Sequence, residues 1–148
     1  MALRPTPLAV FAFAAALLGA LGACGSGDKP AGSPGDTVRT YNAAIADGKS
    51  QRACAQLDAA AQKELQDAVQ GAARASCKDV IGLLAGFYDQ ATKDRLRAAK
   101  VEVKTTGGRA SATFPSPTAL GGPQGRQTYE LKREGGRWKI DRLNLKAD

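Results

Sequence analysis

The chain has 148 residues, with 21 Lys and Arg against 14 Asp and Glu, for a net charge of +7 at neutral pH. It contains no histidine, which excludes a Ser-His-Asp triad, a Cys-His pair and the paired histidines of a zinc-peptidase helix. Its three cysteines lack the paired spacing that holds zinc, so no metal and no other cofactor is expected.

The first element is an apolar run. Arg4 and the free amine form a short positive region, and residues 8–20 (LAVFAFAAALLGA) follow without a charge. The run closes on Leu21-Gly22-Ala23-Cys24, small residues ending in a cysteine, which resembles a bacterial lipobox. The resemblance implies that residues 1–23 are a lipoprotein signal peptide and that Cys24 carries a diacylglyceryl group. Two acyl chains hold a protein on a bilayer where one does not. The expected location is therefore the extracytoplasmic face of the cell membrane. Two other readings stay open. One is a secretory signal in which Cys24 is incidental. The other is a transmembrane helix, for which the run is short against the ~20 residues needed. Each of the three exports the rest of the chain.

Residues 24–35 are the candidate lipid site followed by Gly, Pro and Ser with no large apolar side chain, and they read as a tether. Eleven such residues reach about 17–20 Å as a flexible coil. Residues 36–148 have the length of one domain with one core. Cys54 and Cys77 are the remaining cysteines. In an oxidising compartment a disulfide is the leading reading, with two buried free thiols as the alternative.

The domain divides near Lys100. Asp36 or Thr37 is expected to cap a first helix, with Val38, Tyr41 and Ile45 at helical spacing and a stop at Asp47-Gly48. Ser50 is expected to cap a second helix carrying Cys54 and Leu57, which continues through Leu65 and Val69 to Gly71. Ser76 and Asp79 form a capping-box pattern opening a third, with Cys77, Val80, Ile81 and Leu84 on its apolar face and Leu83 and Phe87 alongside. Residues 88–96 read as a connector with at most one helical turn.

From Lys100 the period becomes two. Val101, Val103 and Thr105 predict a half-buried strand, Gly107-Gly108 a tight turn, and Ala110, Ala112 and Phe114 the return strand. Residues 115–125 are too rich in Pro and Gly for a strand interior. Tyr129 and Leu131 then alternate with charges, Gly135-Gly136 turns the chain, and Trp138 and Ile140 take the apolar phase. Leu143 and Leu145 fall out of that phase, which predicts a bulge or strand end near Arg142.

Helices followed by an antiparallel meander define an α+β domain, with helices packed on a curved sheet. The order resembles the nuclear-transport-factor-2-like cone found in small bacterial lipoproteins. The opening helix 37–47, the pair Cys54 and Cys77, the strand start 98–103 and the ending TYELKREGGRWKID (128–141) carry the resemblance. It implies a cone-shaped cavity between helices and sheet, in a family that includes enzymes, binding modules and interaction domains. Fold alone does not choose among them. The family's enzymes, such as ketosteroid isomerases, use buried carboxylates and tyrosines. The matching residue types here are Tyr41, Tyr88, Asp89 and Tyr129, but no paired catalytic set aligns on them.

Charge is uneven along the chain. Residues 24–90 hold 7 basic and 8 acidic side chains, whereas residues 91–148 hold 13 and 6. Lys100, Lys104, Lys132 and Lys139 alternate with apolar positions and form a candidate basic face for anionic lipid or cell-wall polymer, or simply a solvated one. The strands lack interleaved exposed aromatics, so no nucleic acid partner is expected. The chain is thus expected to be a membrane-anchored, non-enzymatic binding or interaction module for an envelope protein or apolar ligand. A small cavity enzyme or a lipid or sterol carrier accessory is the alternative. A homodimer stays open.

Overall fold

A computed structural model describes residues 32–69, 75–116 and 125–145. The predicted signal peptide, Cys24 and most of the tether lie outside the described residues, as do Gly71 and residues 117–124. Among the described residues, no helix is long and apolar enough to cross a membrane. The described residues have an α+β architecture, with five helices preceding a four-stranded antiparallel sheet in the order β1-β2-β3-β4.

Helix α1 spans Pro34–Ala46, and Ser33 caps it by accepting a hydrogen bond from Asp36 N at 3.1 Å. The start is earlier than Asp36 or Thr37. Pro34 suits the first helical turn, where its missing N–H leaves no bond unmade. Val38, Tyr41 and Ile45 form the buried stripe, and Gly48 at φ 67° takes the left-handed turn that ends the helix.

Helix α2 is only Ser50–Cys54; Lys49 occupies the cap position and Ser50 lies inside the helix. The expected continuous helix to Gly71 is broken. Asp58 N donates to Ile140 O and Ile140 N to Gln56 O, both at 2.9 Å, so Leu57 bridges to the last strand. This lays a short piece of backbone along an otherwise open sheet edge. Helix α3 (Ala59–Ala68) restarts on Asp58, whose Oδ1 accepts from Ala61 N at 2.8 Å.

Helix α4 (Cys77–Phe87) opens on the Ser76–Asp79 capping box and buries Cys77, Val80, Ile81 and Ala85, while Leu84 is half-buried. The structure bonds Cys54 to Cys77 with a Cα–Cα distance of 6.1 Å, joining the end of α2 to the start of α4. Residues expected to be a connector form α5 (Gln90–Ala98), capped by Asp89 through Thr92 N at 2.7 Å. Only Leu96 is buried on α5, so periodicity could not announce it. Arg97 instead pins the helix to α1, donating to Asp47 Oδ1 at 3.0 Å and Ala46 O at 3.4 Å.

Strands β1 (Glu102–Thr106) and β2 (Arg109–Pro115) turn through Gly107-Gly108. Every residue of β1 is exposed, against the half-buried expectation, because β1 is a sheet edge whose one strand partner among the described residues is β2. Ala110, Ala112 and Phe114 of β2 are buried as their alternation predicts. Strand β3 (Arg126–Glu134) buries Gln127, Tyr129 and Leu131 and pairs with β4 (Arg137–Arg142). Both turn glycines, Gly135 at φ 55° and Gly136 at φ 81°, use left-handed backbone that a β-carbon would strain. The predicted irregularity near Arg142 is present. Leu131 faces Ile140 while Glu130 faces Arg142, so Asp141 is the extra residue and Leu143 turns into the core. Trp138 is half-buried against the core, and its carbonyl accepts from Thr37 Oγ1 at 3.4 Å.

Among the described residues, one buried side chain is unpaired. Asn42 is 1% exposed, and neither its Nδ2 nor its Oδ1 has a hydrogen-bond partner. Each desolvated amide atom costs about 1–3 kcal/mol, and alanine is the better helix former. Asn42→Ala is therefore expected to raise the denaturant midpoint despite the small void it leaves. A drop of more than about 1 kcal/mol in unfolding free energy would show the amide to be satisfied in solution.

Candidate functional site: a cavity lined by three tyrosines

Where the helices lie over the core face of the sheet, a cavity of about 180 Å³ remains open. Its walls combine Ile45 of α1, Leu65 of α3, Leu84 of α4, Leu96 of α5, Phe114 of β2 and Leu145 beyond β4. Tyr41, Tyr88 and Tyr129 also line it, so three of the four residues singled out from sequence converge on one space. They arrive from separate elements: the buried stripe of α1, the residue ending α4, and the core phase of β3.

Tyr129 is the centre of the aromatic wall. Its ring meets Phe114 edge-on at 4.9 Å between centroids and Tyr41 at 5.7 Å. Such T-shaped contacts contribute about 0.5–1.5 kcal/mol each beyond burial and hold the rings in fixed orientations. None of the three tyrosines forms a hydrogen bond with a described residue. Burial raises all three hydroxyls above the ordinary tyrosine range, with the nearby Glu64 charge adding to the effect on Tyr41 and Tyr129. At neutral pH they are neutral phenols that can donate or accept a hydrogen bond.

Among the described residues, no Asp, Glu, Lys or Arg lines the cavity. Glu64 is close enough to influence the tyrosines, yet its carboxylate is committed elsewhere. Oε2 accepts from Leu143 N at 2.8 Å and Oε1 from Leu145 N at 3.0 Å, which straps the tail onto α3. Gln127 holds the same tail by donating to Leu143 O and, at 3.4 Å, to Asn144 O. Asp89 does not join the tyrosines. It is exposed, and its capping bond with Thr92 holds its carboxyl below the ordinary range.

Two lysines of the candidate basic face, Lys132 and Lys139, are engaged by partners. Lys132 Nζ lies 2.5 Å from Asp58 Oδ2 and 3.2 Å from Asp141 Oδ1, and Lys139 Nζ donates to Ala55 O. Arg109 and Arg126 reach Asp141 at 3.6 Å and Glu102 at 2.8 Å, so the outer face is laced with opposite charges. Lys100 and Lys104 are exposed beside and on the edge strand β1.

Sequence reasoning missed Leu65, Leu96, Gln127 and Leu145 as cavity residues. Leu96 belongs to a helix without an apolar stripe, and Leu145 is placed by the Glu64 strap from a distant element. Comparison with family models, curated proteins and solved structures finds no match to this chain.

Proposed function

We propose that this chain is a lipid-anchored envelope protein whose domain, similar to the nuclear-transport-factor-2-like cone, binds a small and largely apolar ligand without transforming it. The cavity carries the reading. Its apolar walls supply affinity, and three neutral phenols with no hydrogen-bond partner among the described residues supply orientation. Its volume of about 180 Å³ is below the ~300–1,000 Å³ of sites for drug-sized molecules, but comparable to cavities of ~150 Å³ that hold one benzene. A single ring or short branched chain with one hydrogen-bond acceptor fits that chemistry. Acid–base catalysis would require a carboxylate or similar base within reach of the ligand, and the polar groups of the described lining are Ser116, Gln127 and three phenols held in their neutral form.

Titration calorimetry of the full chain with acetophenone and with ethylbenzene tests the proposal. Both are expected to bind saturably, with the ketone favoured about fivefold by one hydrogen bond to a phenol. Leu84→Trp should fill the space and abolish both, whereas Tyr88→Phe should narrow the preference for the ketone. An absence of saturable binding up to millimolar ligand would remove the cavity from consideration.

A further inference from the structure

Helix α4 presents one face to the core and leaves a second one bare. Leu83 is 54% exposed and Phe87 83%, and at a spacing of four they stand together as an apolar ridge. Between them, Gly86 has no atom within 4 Å of where a β-carbon would lie. The ridge adjoins the cavity, because Leu84 and Tyr88, the next residue after each ridge member, line it.

We infer that the Leu83–Phe87 ridge docks on the surface of the lipid bilayer to which the chain is anchored, turning the tyrosine-lined cavity toward the membrane. This rests on the anchor at Cys24 given under the proposed function. A second copy of the chain fits poorly. A stable protein interface buries about 800 Å² on each partner, and two side chains supply well under half of that. A bilayer needs no matching contour, and it accepts a Phe and a Leu at the headgroup boundary. The chain outside the described residues supplies the rest of the argument. The described residues begin at Gly32, eight residues after Cys24, and eight residues of chain span at most about 26–29 Å. At that reach the domain is always beside the lipid, so a contact too weak for a free protein suffices. Charge at the ridge is mixed, since Asp79 lies one turn before Leu83, while Lys78 of α4 and Lys93 and Arg95 of α5 make no ion pair with a described residue within 4 Å. The anchored chain, residues 24–148, nonetheless holds 20 basic against 14 acidic side chains. An anionic leaflet attracts the basic side chains.

The test uses the full anchored chain in vesicles of three parts phosphatidylglycerol to seven parts phosphatidylcholine, with brominated acyl chains. Phe87→Trp in a Trp138→Phe background places one indole on the ridge. Its emission is expected to fall at least twofold against unbrominated vesicles, and to recover when Leu83→Ser is added. Equal emission in both vesicles overturns the docking. So does a blue shift that depends on protein density and ignores bromine, which would show pairing between copies. The mass of the extracted chain reports the anchor separately. If Cys24 bears no lipid the anchor is wrong, and coupling its thiol to a maleimide lipid restores the tether, so that quenching still decides the docking.

Discussion

Removal of the Cys54–Cys77 bond is expected to lower the unfolding free energy by about 3–4 kcal/mol. The half-cystines are 23 residues apart, and a loop of that size restrains the unfolded chain by roughly 3.4 kcal/mol on the chain-entropy estimate. For a domain of this size the melting temperature should fall by roughly 10–15 °C. The bond also has a local consequence. It anchors the start of α4, the helix whose far end brings Leu84 and Tyr88 to the cavity. Acetophenone affinity should therefore weaken in the Cys54→Ala, Cys77→Ala double variant even at temperatures where it remains folded. Urea unfolding with and without reductant measures the first effect and calorimetry the second. Alkylation of both thiols in folded, unreduced protein would contradict the bond itself.

What could be read from the sequence was whatever a short window contains. The Ser76–Asp79 box, the two glycine turns and the alternation around Ala112 and Leu131 are local patterns, and each has its physical cause within a few residues. Tyr41 and Tyr129 were visible as core aromatics because each sits on the apolar phase of its element. Features set by tertiary contacts were not visible. Helix α5 buries only Leu96 and is held by Arg97 reaching to Asp47 and Ala46, about fifty positions earlier. Strand β1 alternates like a half-buried strand, yet its position at the sheet edge leaves all of it exposed. The partners of Lys132 were hidden for a related reason. Alternation correctly turned Lys132 away from Leu131, but gave no sign that Asp58 and Asp141 would meet it there.

Asp58 is where those long-range contacts concentrate, and Asp58→Ala is expected to cost about 2–3 kcal/mol. Its carboxylate caps α3 through Ala61 N at 2.8 Å and receives Lys132 at 2.5 Å, with its side chain only 4% exposed. Its backbone N–H bonds Ile140 O, so this one residue connects the helical layer to the sheet. Loss of the cap alone costs about 0.5–2 kcal/mol. The remainder comes from leaving Lys132 with Asp141 as its acid partner, softened because the lysine side chain is 35% exposed and can turn to water. Asp58→Asn keeps a capping oxygen and should lose only about 1 kcal/mol. The two variants also separate by pH. Burial pushes the Asp58 carboxyl upward, but hydrogen bonds from Lys132 and Ala61 N outweigh it and hold the group below its ordinary value. A group depressed in the folded state stabilises above its unfolded pKa and loses that contribution as pH falls through its folded pKa. The gap between wild type and Asp58→Asn should thus persist at pH 7 and close as the pH drops below about 4, where unfolded carboxylates protonate. Urea midpoints measured from pH 7 to pH 2 follow that gap. A gap that stays constant over the range would mean the charge on Asp58 does no work, leaving the cap as its whole contribution.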